Sequence, residues 1–139
     1  MNARAESQAA SNTPLLHTAP GFETDGRGNC PMREVLDRVG DTWSLLVVIN
    51  LQERPLRFNA LRRAIEGISQ RMLTVTLRSL ERDGLVARTV RPTTPPEVEY
   101  ALTGLGHSIA GPIGALGAWA AENRDHMRAA RAAFDAAAA

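Results

Sequence analysis

The sequence predicts a mainly α domain of α+β class, with a small β-hairpin and a long C-terminal helix, on three observations. Apolar residues recur at helical spacing along most of the chain, as in Met32, Val35, Leu36 and Val39, in Leu73, Leu77 and Leu80, and in Ile109, Ile113 and Leu116. Two shorter stretches, Leu85 to Arg91 and Val98 to Thr103, alternate like strands, with Val98, Tyr100 and Leu102 sharing a face. Glycines and prolines then punctuate the chain where those patterns change.

Residues 1–29 are rich in Ala, Ser, Asn, Thr and Gly, lack periodicity, and are expected to form a disordered extension. The domain is expected over 30–128, opening at Cys30-Pro31 because proline suits the first position of a helix. Gly40 ends that helix, and Asp41 or Thr42 can cap the next, whose run Trp43 to Leu51 reads as buried nearly all round. Pro55 closes it. A short extended "PLRF" follows, then a third helix, Ala60 to Glu66, with Asn59 as its cap and Gly67 as its terminator. Ser69 caps a fourth helix that stops at Asp83-Gly84. "PTTPPE" makes a stiff loop between the two strands. From about Leu105 the chain is helical again, with a bend expected at Gly111-Pro112 and an alanine-rich tail, 129–139, expected to fray. Two helices joined by a short Gly-containing turn and followed by a hairpin are a winged helix-turn-helix arrangement.

The totals bound the function more loosely. With 139 residues, 44% hydrophobic and 22% charged, the chain suits one globular domain with a real core. No apolar run approaches the roughly 20 residues of a membrane span, and no apolar signal core opens the chain. One cysteine excludes an internal disulfide and fits a reducing cytoplasm, the expected location. His17, His107 and His126 lack metal-ligand spacing, and neither a Gly-rich phosphate loop nor a nucleophile elbow is present. A non-enzyme without cofactor or metal is expected.

Charge is sorted along the chain. All 16 basic residues are arginine, and Arg54 to Arg91 holds nine of them against three acids, a balance of +6, so the remainder nets −5. The fourth helix sets Leu73, Leu77 and Leu80 on one side and Arg71, Thr74, Val75, Arg78 and Arg82 on the other. In a helix-turn-helix the second helix enters the major groove, where arginine pairs bidentately with guanine and glutamine with adenine. Gln70, Arg71, Thr74 and Arg78 could supply the donors that such a groove-facing side needs, Gln70 and Arg71 being the candidates for sequence reading, and Ser69 with the first-turn N–H groups suits a phosphate. A merely solvated helix face is the competing reading. The same basic face could also meet an acidic protein, which would make the domain a protein-protein interaction module.

The segments "CPMREVLDRVGDTWSLLVVINL", "RFNALRRAIEGISQRMLTVTLRSLERDGLVARTV" and "PPEVEYALTGLGHSI" resemble the HxlR-type winged-helix transcription regulators, relatives of the MarR group. The resemblance runs from Cys30 to about Trp119 and departs from the family at "GDTW", where a Gly-Lys-Trp-like sequence is common, near Arg91, where an aromatic residue is common, and in the long N-terminal extension. It implies a regulator, a repressor rather than an activator, that binds double-stranded operator DNA as a homodimer. It makes Ser69 to Arg78 the recognition helix and Arg88 to Glu97 the wing. Arg57, Arg88, Arg91, Thr93 and Thr94 would then be wing and backbone contacts.

Two further features remain. Cys30 sits at a helix N-terminus, which stabilises a thiolate. Some regulators of this type sense oxidants or electrophiles through such a cysteine, and the alternative is a small, part-buried hydrophobe. Ile113, Leu116 and Trp119 give the last helix an apolar stripe that a small domain cannot cover, so a dimer interface is expected there, joined by Val35, Leu36 and Val39. A small-molecule effector would sit near that interface.

Overall fold

Residues 19–139 are described in the computed structural model. The chain divides into two units, Met1–Asp41 and Thr42–Ala139. In the first, helix α1 covers Pro31–Val39. Its cap is Cys30, in extended backbone, whose Sγ accepts the Arg33 N–H at 3.4 Å. Pro31 follows at the position where a missing N–H costs nothing, and Arg38 in the last turn complements the helix dipole.

Part of the extension departs from the expected disorder. The Asp25 carboxylate accepts the N–H groups of Arg27 at 2.8 Å and Asn29 at 3.0 Å, a side-chain-built turn. Those backbone donors, Asn29 foremost, hold the Asp25 carboxyl below its ordinary range. The Met32 N–H also donates to the Gly21 carbonyl at 3.0 Å. Residues 1–18 lie outside the described residues.

The second unit holds α2 (Thr42–Asn50), β1 (Leu56–Arg57), α3 (Phe58–Ala64), α4 (Gln70–Arg82), β2 (Val86–Arg91), β3 (Glu97–Leu102) and α5 (Gly104–Ala138). The strands form one antiparallel sheet in the order β1-β3-β2. Val47, Val48, Leu51, Leu61, Ile65, Leu73, Leu77 and Leu80 form the fully buried core, with α4 packed on α2. Because α2 buries Ser44, Val47 and Val48 but leaves Leu46 exposed, it is one-sided rather than buried all round. Helix α3 begins two residues earlier than expected. Pairing of Arg57 with β3 keeps it extended, and the chain turns straight into helix at Phe58, so Asn59 lies inside the first turn and caps nothing. Helix α5 runs on through Pro112 and through the alanine-rich end expected to fray, consistent with alanine's helix propensity.

Thr103 ties α5 to the end of α4. Gly84, at φ +77°, closes α4 as the N–H groups of Gly84 and Leu85 return to the carbonyls of Glu81 and Leu80. The Thr103 hydroxyl donates to the Gly84 carbonyl at 2.6 Å and accepts the Gly106 N–H at 3.1 Å, while the Thr103 N–H donates to the Leu85 carbonyl. Gly106 is buried beside this clasp, and a Cβ there would run into the Leu85 carbonyl oxygen. Alanine is the better helix former by about 1 kcal/mol. Gly106→Ala should nonetheless lower stability in chemical denaturation by about 1–3 kcal/mol, the cost of overpacking. An unchanged or raised midpoint would show that the close approach is not real.

Candidate nucleic-acid interface

The turn into α4 sets one left-handed glycine between two buried isoleucines. Ile65 and Ile68 are buried, Gly67 takes φ +84°, and the Ile65 N–H closes α3 on the Leu61 carbonyl. Only glycine takes that backbone angle without strain. Ser69 then caps α4 as expected, its Oγ accepting the Met72 N–H at 3.0 Å.

The faces of α4 divide as the leucine spacing implies, with one addition. Leu73, Leu77 and Leu80 are buried, and Thr76 is buried with them. Gln70, Arg71, Met72, Thr74, Val75 and Arg78 are exposed. The Thr74 hydroxyl donates to the Gln70 carbonyl at 2.9 Å, so its proton is committed to the helix and only its lone pairs face outward.

The hairpin carries the remaining candidates. Register sets Arg88 opposite Tyr100 and Arg91 opposite Glu97, with Thr93 and Thr94 in the connection at the tip. Thr93 is turned inward on its own loop, its hydroxyl donating to the Pro95 carbonyl at 2.8 Å. Between α4 and the sheet lies a cleft of about 540 Å³ lined by Thr74, Leu77, Arg78, Glu81, Arg88 and Tyr100. Recognition-helix and wing candidates thus meet across one opening, and Tyr100 joins them unforeseen.

The arginines fall into two groups. Arg57 pairs with Glu97 at 2.7 Å and Arg91 with Glu99 at 3.1 Å. Arg71, Arg78 and Arg88 make no ion pair among the described residues. Sequence reading grouped Arg57 and Arg91 with Arg88 and missed the two carboxylates. The signal was available, because alternation along β3 sets Glu97 and Glu99 opposite to Val98 and Tyr100.

A family resemblance now has geometry beneath it. Residues 38–128 match the profile of the HxlR-like helix-turn-helix proteins. The chain belongs to the HxlR-like helix-turn-helix family. Among HxlR-like relatives, the HTH-type transcriptional regulator YtfH of Escherichia coli (strain K12) is 42% identical over 102 residues, which cover 73% of this chain and 81% of the relative. The YtfH structure from Salmonella typhimurium superposes with a TM-score of 0.69 at 38% identity, covering 78% of this chain and 98% of the other. The redox regulator HypR in its reduced form gives 0.68 at 37% identity, with 71% and 98% covered. The HxlR-like proteins are transcriptional regulators and not enzymes. Among the described residues no cluster of metal-ligating side chains occurs, and no helix is long and apolar enough to cross a membrane.

The expected dimer surface is only partly exposed. Val35 and Leu36 are exposed, as are Leu116 at 62% and Trp119 at 53%, whereas Ile113 is half-buried and Val39 is buried within the single chain. Cys30 is half-buried, capping α1.

The Ser69 cap is the local device that starts α4. Ser69→Ala should cost about 1 kcal/mol in urea unfolding. Ser69→Asp should retain most of that stability, and equal loss in both variants would mean that the hydroxyl is not the cap.

Proposed function

We propose that this chain is a homodimeric repressor that binds an inverted-repeat operator in double-stranded DNA, with α4 in the major groove. The carrying observation is that, among the described residues, Arg71 and Arg78 make no ion pair on the outer side of α4, whose inner side is buried, and Arg88 makes none across the cleft on β2. Gln70 and Arg71, in the first turn of α4, are the proposed base readers, with Thr74 accepting a donor. Ser69, Arg78, Arg88 and Thr94 follow the backbone, whereas both donors of Thr93 are spent on its own loop; phosphate contacts of this kind set register without reading sequence.

The second copy is proposed to cover the apolar stripe of α5. Beyond Leu116 and Trp119, Met127 and Phe134 continue it at exposed positions. Their spacing keeps all four on one side of a continuous helix. Val35 and Leu36 are the proposed contribution of α1. Two recognition helices about 34 Å apart would then meet successive major grooves.

Selection from a random duplex library at near-physiological salt should enrich an inverted repeat. Arg71→Ala should lower affinity for that repeat far more than for unrelated duplex, by about 1–3 kcal/mol of discrimination. Equal loss on all sequences would reassign Arg71 to phosphate. No enrichment, from folded and dimeric protein, would favour an acidic protein partner instead. In cells, deletion of the gene should raise transcription from promoters containing the repeat, and a fall would make the protein an activator.

Cys30 supports an oxidant or electrophile as effector. It is the lone cysteine, it caps a helix, and the fold is similar to that of the redox regulator HypR. Oxidation would join it to its copy in the other protomer or to a small thiol. Diamide should release the native protein from its operator and leave Cys30→Ser bound, while equal release of both would exclude sensing through Cys30.

A further inference from the structure

The wing sheet carries a row of four charges that cancel, two carboxylates on its central strand and one arginine on each flanking strand. In register, Arg57 on β1 lies opposite Glu99, and Arg91 on β2 lies opposite Glu97. Residues paired across neighbouring strands share a face, as do residues two apart on one strand, so all four side chains project from the same side. Each arginine reaches diagonally rather than straight across. Arg57 Nη2 meets Glu97 Oε2 at 2.7 Å, and Arg91 Nη2 meets Glu99 Oε2 at 3.1 Å. The arginine side chains stay 57% and 56% exposed, while the carboxylate side chains are 31% and 24% exposed.

We propose that Glu97 and Glu99 are affinity-limiting residues that keep Arg57 and Arg91 out of phosphate contact. A guanidinium that points one edge at a carboxylate cannot also offer that edge to a phosphate, since both anions seek the same fork of donors. Exposed pairs are individually weak, so the restraint is modest and easily removed by substitution. Arg88, on the other sheet face, has no such partner among the described residues, so of the three sheet arginines it alone is offered to phosphate before any substitution. This inference rests on the DNA-binding reading above and names the carboxylates that limit it.

The test uses the full-length protein and a mixed-sequence 30-base-pair duplex, with affinity measured across a salt series. Glu99→Gln is nearly isosteric and removes the competing charge. It should tighten binding by about two- to five-fold and steepen the salt dependence by about 0.9 for each arginine released to phosphate. Both changes should vanish when Glu99→Gln is made in an Arg91→Gln background, because the carboxylate acts through that arginine. Glu97→Gln with Arg57→Gln supplies an independent cycle should either Glu99 variant unfold.

An unchanged salt slope in a folded Glu99→Gln protein would overturn the proposal, as would weaker binding. A gain of equal size with and without Arg91 would also overturn it, because simple repulsion between Glu99 and DNA would then explain the effect. Failure of the unsubstituted protein to bind duplex at any salt would remove the DNA-binding reading along with this one, an outcome distinct from binding with unchanged slope.

Discussion

Burial of Leu73, Leu77 and Leu80 sets the rotation of α4 about its own axis, and everything on its outer side follows from that rotation. Side chains advance by about 100° per residue around a helix. A slip of one position in one direction would drive Arg78 and Glu81 toward Val47, Val48 and Leu51, and in the other would set Thr76 and Ser79 there in place of leucines. Each buried leucine contributes about 1.5–3 kcal/mol relative to exposure, so the correct rotation is held by several such terms at once. Gly67 before α4 and Gly84 after it, both at positive φ, fix where the helix starts and stops. Position along the axis is thereby as constrained as rotation about it.

The electrostatic pattern is laid over that packing. A net formal charge of +1 hides a surface on which cations are partnered in one place and unpartnered in another. Although Glu81 lines the same cleft, Arg71 and Arg78 on α4 and Arg88 on the inner sheet face make no ion pair among the described residues, which suits a surface that waits for a polyanion. Those flanking β3 are neutralised within the fold. The difference arises from strand alternation alone, which sends Arg88 to one side of the hairpin and Arg91 to the other.

Most of the architecture was legible because it depends on local rules. Cys30-Pro31, Ser69 and Asp83-Gly84 mark helix ends through capping chemistry that acts over three or four residues. Features that depend on partners distant in sequence were harder to see. Glu97 and Glu99 lie beyond the basic stretch Arg54 to Arg91, and only the strand register brings those acids onto Arg57 and Arg91. Thr76 was not expected in the core, since its polarity gives no hint that the α4 interface is wide enough to cover it. Asn59 looked like a helix cap, but pairing of the neighbouring strand starts the helix one residue before it. The Asp25 turn was overlooked for the opposite reason, because its composition is that of loops generally.

Thr103 joins elements with different tasks. One side chain and one amide connect the turn that ends α4 to the first turn of α5, and no flexible linker lies between them. Helix α5 extends for 35 residues, about 50 Å at 1.5 Å per residue. Such a length makes it a lever, held near its base by the Thr103 clasp and by its packing on α2, where Ala110 is buried. A tilt of the far end, several turns from any DNA, would arrive at the C-terminal end of α4 with little slack to absorb it.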